Sequence, residues 1–501
     1  MPRSKSKIPK GRAVAPANKP NTDKPSPKKT NGPDNISANM PQHQPTTHDR
    51  HVRRWSIVAL IVEIIVIVVL IAYGVWISRK QEPTKSTAQQ ATTTPAKQSE
   101  PTTGKLLSDE LVTTYNSDQT LATIRQTTPN YDRGSATVDK RLIRYTSSDG
   151  KTDSVPIYAR VYLPQGADQN LPLLVFAPGT TGIGDDCAAS LEQPQRRNWA
   201  NYDSHMLAYA AQGFAVVITD YEGMRDPDRI HHYMVGELEG RAMLDAARAV
   251  RRLDAAKAKL SPDVNFVAGY SQGGHAAYWA DQIQPSYAPD VPLRGSIGFG
   301  PVTDVEQTLA DINHGANINW FGPYVLVSYS DWYQQLYPTN RILQPRWITN
   351  LRADVLRECI DRVNQYWPNN VGANRTSQVY TSEFLQALQI GLRKTVPYKQ
   401  LAEDMYKNIV GNIKTNTPKL LNQGQHDNVI LPAQSSAAKN RFCQSGNIVK
   451  YSLYDTIRYA VIYYDSVGKV DHYRTMSASL FDTIAWMKDR IAGQPAPTSC
   501  Q

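Results

Sequence analysis

Short apolar runs alternate with longer segments of helical composition through the body of this chain. Ile157, Ala159, Val161 and Leu163 take turns with Tyr158, Arg160 and Tyr162, the period of two of a half-buried strand, and the run stops at Pro164. Leu173-Leu174-Val175-Phe176 and Phe214 to Thr219 are continuously apolar, as strands covered on both faces are. Between them Ser204 to Ala211 reads as a helix, and residues 237–260, rich in Ala, Leu, Glu and Arg, read as a long one. Val264 to Ala268, Gly295 to Gly298, Leu420-Leu421 and Ile457 to Tyr464 are the further strand candidates. Strands alternating with helices predict a mostly parallel sheet covered on both faces. Residues 305–415 break that rhythm. Trp320, Phe321, Tyr324, Tyr329, Trp332, Tyr333, Trp347 and Trp367 stand there among helix-like segments, which predicts an inserted helical cap. Its aromatics form either the cap's own core or an apolar wall for an acyl group.

Ahead of the body the pattern changes twice. Residues 1–54 hold 12 Lys/Arg against 3 Asp and almost no large apolar side chains, and read as a disordered basic tail. Trp55 to Ile77 is mostly apolar and long enough for a membrane-spanning helix, with Glu63 its one carboxylate. Arg50, Arg53 and Arg54 precede it, Arg79 and Lys80 follow it, and the basic excess predicts a cytoplasmic tail and an extracellular body. A cleaved signal segment is the alternative, giving a secreted body. Residues 78–104, a Thr/Gln/Ala/Pro/Lys stretch, read as a flexible linker. The expected organisation is therefore a tail over 1–54, an anchor over 55–77, a linker over 78–104, and a body split into 105–304 and 416–501 by the cap at 305–415. Beyond residue 54 the charge nearly balances, 43 Lys/Arg against 42 Asp/Glu, so the folded body gives no warrant for nucleic-acid binding.

The chemistry gathers at Gly269-Tyr270-Ser271-Gln272-Gly273. An apolar run precedes it and Gly274-His275-Ala276-Ala277 follows, the setting of a nucleophile elbow, where a serine rides a tight strand-to-helix turn. A serine hydroxyl needs an imidazole to take its proton, and the imidazole needs a carboxylate to orient it. Asp427 follows the Leu420-Leu421 run and His472 follows the last strand candidate, in the order serine, acid, histidine. His426, His275 and His232 compete as the base, and Asp220 and Asp304 as the acid. The Ala177-Pro178-Gly179-Thr180-Thr181-Gly182 loop after a strand is the candidate for the second oxyanion donor. The amides of Thr180 and Gln272 are the chosen pair, with Thr181 the alternative to Thr180. The four cysteines, Cys187, Cys359, Cys443 and Cys500, include no CxxC pair, so no metal site is expected. Of three possible pairings, Cys187–Cys359 with Cys443–Cys500 is favoured, the second stapling the last residues to the body.

Together these segments resemble the secretory lipase family of α/β-hydrolases, found in fungi and bacteria. The matching stretches are Ala177–Ser190, Thr219–Gly223, Gly236–Ala249, Gly269–Gly274, the Gly424–Asp427 turn and the ending around Trp486–Cys500. The resemblance implies an α/β-hydrolase fold with a helical cap over an acyl pocket, a triad of Ser271, Asp427 and His472, two disulfides, and hydrolysis of acylglycerols or other carboxylic esters without metal or cofactor. The expected partners are a lipid or other ester substrate and, through residues 55–77, the membrane. Pro178 departs from the family pattern of many α/β-hydrolases, which place histidine before the oxyanion glycine. Rival readings are a deacylase of a glycan or peptide-like substrate, and a non-catalytic binding protein anchored on the same scaffold.

Overall fold

The computed structural model describes residues 67–70, 101–166, 170–193, 195–314, 318–367, 376–456 and 468–500. Residues 98–501 form one compact unit. Among the described residues the body is built on a nine-stranded sheet: β1 (Leu106–Tyr115), β2 (Val138–Ser147), β3 (Val155–Pro164), β4 (Leu171–Ala177), β5 (Ala215–Thr219), β6 (Leu260–Tyr270), β7 (Leu293–Phe299), β8 (Lys419–Gly424) and β9 (Val449–Tyr454). Their order across the sheet is β1-β2-β3-β5-β4-β6-β7-β8-β9. The first three strands pair antiparallel, as does β3 with β5; from β5 through β9 every pairing is parallel.

Burial explains which strands have which composition. β4 and β5 lie inside the sheet and are almost wholly buried, so both faces demand apolar side chains. β1 is an edge strand, exposed along nearly its whole length, and its LLSDELVTTY sequence carries no clean alternation. One face of the sheet is closed by the helix Gly236–Arg252 and the helix Gln272–Tyr287, which pack with Val161, Val175, Val217 and Val267. The other is closed by the helices Tyr202–Ala210 and Thr475–Ile491 around Phe176, Phe266, Ile297 and Leu420. Between β7 and β8 the chain leaves the sheet for a helical insertion, with helices at Val305–His314, Phe321–Tyr333, Leu351–Arg357, Ile360–Tyr366, Ser382–Ile390 and Lys399–Lys407. Phe321, Tyr324, Tyr329, Trp347 and Trp367 are buried in a core made largely of the insertion's own residues. Two disulfides are formed: Cys187–Cys359 joins the segment after β4 to the insertion, and Cys443–Cys500 holds the C-terminal segment.

Several of these expectations are corrected or left aside. The membrane anchor does not stand. Among the described residues no helix is long and apolar enough to cross a membrane. Within residues 55–77 the described residues are Ile67–Leu70, which are helical. The remainder of that run lies outside the described residues. The fold class is accordingly an α/β-hydrolase fold with helical insertions, with no membrane-spanning helix among the described residues. The membrane partner and the single-pass localisation, with tail inside and body outside, fall with the helix that was to carry them. The strand expected at Ile457 to Tyr464 lies outside the described residues. The last strand that is described is β9, at Val449–Tyr454, a half-exposed segment whose mixed polarity hid it.

Candidate active site

The sheet order fixes where a ligand can sit. β5 and β6 flank β4 on opposite sides, so the segments leaving the carboxyl ends of β4 and β6 diverge and open a crevice between them. β4 ends at Ala177 and runs into Pro178-Gly179-Thr180; β6 ends at Tyr270 and runs into Ser271. Ser271 has φ 55° and ψ −115°, a strained left-handed conformation for a non-glycine residue. The turn is held by the Ser271 amide donating to the Phe299 carbonyl (2.9 Å) and by the Val302 amide donating to the Ser271 carbonyl (3.1 Å). It also requires the two flanking glycines. A Cβ on Gly269 would lie 1.9 Å from the Gly273 carbonyl oxygen, and one on Gly273 would lie 1.9 Å from the Ala177 carbonyl oxygen. Strand end, elbow and helix start thus touch backbone to backbone.

Asp427 lies three residues beyond β8. Its carboxylate is buried and saturated: Oδ1 accepts the amides of Val429 (2.9 Å) and Ile430 (2.8 Å), while Oδ2 accepts Gln423 Nε2 (3.0 Å) and His472 Nδ1 (2.8 Å). Two amides and a carboxamide holding one carboxylate fix its direction. The loop bearing His472 is tied to the acid's loop by the His426 amide, which donates to the Val470 carbonyl (3.0 Å). The imidazole packs on the Tyr270 ring with centroids 4.9 Å apart. Because Nδ1–H faces the carboxylate, Nε2 of His472 is left as a proton acceptor.

Ser271, His472 and Thr180 line one cleft of about 400 Å³, within the range of small-molecule sites. Ser271 is 9 % exposed and His472 3 %, so a substrate reaches them only through this cleft. Its apolar wall includes Trp199, Ile318, Trp320, Ile360 and Val429, with Asn198, Asp361 and Asn428 supplying polar groups. Of the eight insertion aromatics singled out in the sequence, Trp320 reaches the cleft lining. The loop after β4 is anchored at successive groups. Tyr221 OH donates to the Pro178 carbonyl (2.6 Å), Tyr202 OH accepts the Gly179 amide (2.7 Å), and Thr180 Oγ1 bonds Tyr233 OH (2.7 Å). Thr180 faces the cleft, whereas Thr181 is fully buried and its carbonyl accepts the Ile360 amide (2.9 Å). Gln272 is the first residue of the helix that follows Ser271, and its amide stands at the positive end of that helix.

The competing residues are engaged elsewhere. His426 Nε2 bonds Asp455 (2.7 Å) at the surface, His275 is buried between Glu239 and the Asn408 carbonyl, and His232 bridges Glu222 and Asp331. Asp220 accepts the Ser190 amide and hydroxyl, and burial pushes its carboxyl up to about 6. Asp304 caps a local turn through the Gln307 amide (3.1 Å). Sequence reasoning missed Gln423, Glu239 and His231. Gln423 shared its signal with Asp427, since both sit at the exit of a central parallel strand. Glu239 could have been found as a carboxylate among the buried Leu238, Ala242 and Met243 of an otherwise amphipathic helix. Among the described residues no group of three or more His, Cys, Asp or Glu is placed to hold a metal ion.

The family model for secretory lipases matches residues 200–499, from the helix Tyr202–Ala210 through the triad candidates to the C-terminal helix Thr475–Ile491 and beyond. This chain belongs to the secretory lipase family. The lipase is a serine-type carboxylic ester hydrolase that works through an acyl-enzyme, of the triacylglycerol lipase and esterase kind. A secreted triacylglycerol lipase of Malassezia furfur is 21% identical over 370 residues, covering 72% of this lipase and 69% of the relative. A second from the same organism is 24% identical over 334 residues, covering 63% and 77%. The crystal structure of a rice cell wall degrading esterase from Xanthomonas oryzae shares the fold of this lipase, with TM-score 0.59 at 20% identity over 78% of this chain and 99% of that one.

Proposed function

We propose that Ser271 is the nucleophile, His472 the general base and acid, and Asp427 the residue that orients and charges the imidazole. The amides of Thr180 and Gln272 receive the oxyanion. The observation that carries this reading is the 2.8 Å bond from His472 Nδ1 to a fully saturated Asp427 carboxylate, in a cleft that Ser271 also lines. His472 Nε2 takes the proton as Ser271 Oγ bonds the ester carbonyl carbon. The tetrahedral oxyanion then collapses, and His472 returns the proton to the departing alcohol. Water, deprotonated by the same nitrogen, attacks the acyl-enzyme and releases the acid.

The substrate is an ester with one apolar acyl limb of short to medium length. A cleft of about 400 Å³ accommodates a single limb and the scissile group rather than a whole triacylglycerol. The apolar wall of Trp199, Ile318, Trp320, Ile360 and Val429 suits the acyl part, and Asn198, Asp361 and Asn428 suit a polar alcohol part. The test is a panel of p-nitrophenyl and glyceryl esters differing only in acyl length, run on the full chain and on S271A, with fluorophosphonate labelling read by mass spectrometry. Turnover and a single adduct on Ser271 are expected for the wild type and neither for S271A. An S271A protein with wild-type turnover overturns the assignment of the nucleophile, and a preference for the longest acyl chains overturns the substrate class.

A further inference from the structure

Beneath the elbow lies a buried polar chain that the mechanism does not use. Gln272 is fully buried, and its Nε2 donates both to Glu239 Oε1 (2.8 Å) and to His231 Nε2 (2.7 Å). Glu239 Oε1 also accepts the Met234 amide (3.1 Å), and its Oε2 pairs with His275 Nδ1 (2.6 Å). His275 Nε2 in turn faces the Asn408 carbonyl (2.7 Å). Both His275 nitrogens face acceptors, and the Glu239 oxygen nearest Gln272 accepts from its side-chain amide. His231 faces Glu222 Oε2 through Nδ1 (3.3 Å), which leaves its Nε2 to accept from Gln272. The donors and acceptors therefore match in one sense along the whole chain. Gln272 Oε1, by contrast, is buried with no partner. A buried orphan acceptor is a cost that stability alone does not explain.

The same residues reach the other side of the cleft. The His231 ring stacks on Tyr221 (centroids 4.8 Å, planes 9° apart), and Tyr221 OH donates to the Pro178 carbonyl just ahead of Thr180. Tyr233, edge-on to His231, bonds Thr180 Oγ1. One frame, spanning residues 221–239, touches both segments assigned the oxyanion amides, at Thr180 and at Gln272.

We propose that His231 and Glu239 are positioning residues that act through the Gln272 side chain to fix the amide receiving the oxyanion, and through Tyr221 and Tyr233 to register it against Thr180. This rests on the reading of Ser271 as nucleophile and of these amides as the oxyanion donors. Gln272 is anchored at its outer end by two bonds and at its inner end by the elbow, so its amide cannot rotate or retreat as negative charge develops.

The test compares full-chain wild type with Q272M, E239M and E239Q, reading kcat and KM on one ester and Ki for a trifluoromethyl ketone analogue of its tetrahedral state. Q272M and E239M are expected to lose about 10- to 100-fold in kcat with KM within about twofold, and to weaken the ketone by the same factor. E239Q keeps wild-type values. Its amide oxygen still accepts from Gln272 and Met234, and its NH₂ donates to a neutral His275. Should E239M not fold, Q272M, which leaves no charge unpaired, carries the comparison. A Q272M protein with kcat and Ki within about twofold of wild type overturns the proposal, as does an E239Q protein as impaired as E239M, or a loss confined to KM. S271A run alongside separates the two readings: wild-type turnover in S271A sinks the nucleophile, whereas an inert S271A with an unimpaired Q272M sinks only the frame.

Discussion

Replacing Asp427 by asparagine changes one atom and sets it against four hydrogen bonds. The carboxylate accepts from Val429 N and Ile430 N on Oδ1, and from Gln423 Nε2 and His472 Nδ1 on Oδ2. An asparagine oxygen satisfies one pair, and its NH₂ then meets two donors. With the oxygen on the amides, the NH₂ faces Gln423 and His472. Gln423 cannot turn its amide over freely, because its oxygen accepts Ser435 Oγ (2.5 Å) and its nitrogen also donates to the carbonyls of Gly424 and Ile430 (3.0 Å each). The imidazole gives way instead: Nδ1 becomes the acceptor, the proton moves to Nε2, and the ring no longer accepts the serine proton. The expected loss is about 10⁴-fold in kcat, roughly 5 kcal/mol of transition-state stabilisation. The conflict left at Gln423 costs about 1–3 kcal/mol of stability. Stopped-flow turnover of a p-nitrophenyl ester, with thermal melts of the same samples, reads both. A D427N protein that folds and keeps more than about a tenth of wild-type kcat at neutral pH refutes the role given to Asp427.

Three further outcomes follow from the geometry. G273A should fold poorly or lose about 100-fold in kcat, since a Cβ 1.9 Å from the Ala177 carbonyl oxygen forces the elbow away from β4; wild-type kinetics in G273A would show that the elbow can relax. His232 is held above its ordinary 6.5: burial pushes it down, but Glu222 and Asp331 outweigh that, while Glu222 is held below 4.5 by His232 and His231 against its own burial. The His232 contribution is complete below pH 6.5 and lost as pH rises through its higher folded value, whereas that of Glu222 is present above 4.5 and lost as pH falls through its lower one. The melting-temperature gap between wild type and H232Q should therefore be widest at about pH 5.5 and shrink toward about pH 9; a gap that is flat or grows with pH contradicts the charged bridge. Removing the Cys187–Cys359 bond with C187S/C359S should cost about 2–5 kcal/mol and raise KM, because the bond holds Ile360 and Asp361 at the cleft; an unchanged KM would separate the bond from substrate binding.

What could be read in the sequence follows burial and backbone strain. β4, β5 and β6 announced themselves because a strand covered on both faces must be apolar throughout, and Ser271 because only glycines fit the contacts around it. β1 was silent, since an exposed edge strand is under no such demand, and β9 nearly so. Asp427 and His472 were singled out by chain order, and Asp427 also by its place after β8; the 2.8 Å bond between them could not be read from the chain. Gln423, His231 and Glu239 were not singled out. A buried hydrogen-bond partner leaves no periodic trace, and residues far apart in the chain give no hint that they meet. The anchor expected at 55–77 rested on composition alone, and among the described residues no helix is long and apolar enough to cross a membrane.

The helical insertion departs from the sheet at the end of β7 and returns at β8, so it lies in the chain between Ser271 and Asp427, while His472 comes later still. During synthesis the strand bearing the serine emerges long before the acid, and the imidazole arrives last. On the proposed triad, a growing chain carries an incomplete proton relay until its C-terminal part has joined the sheet.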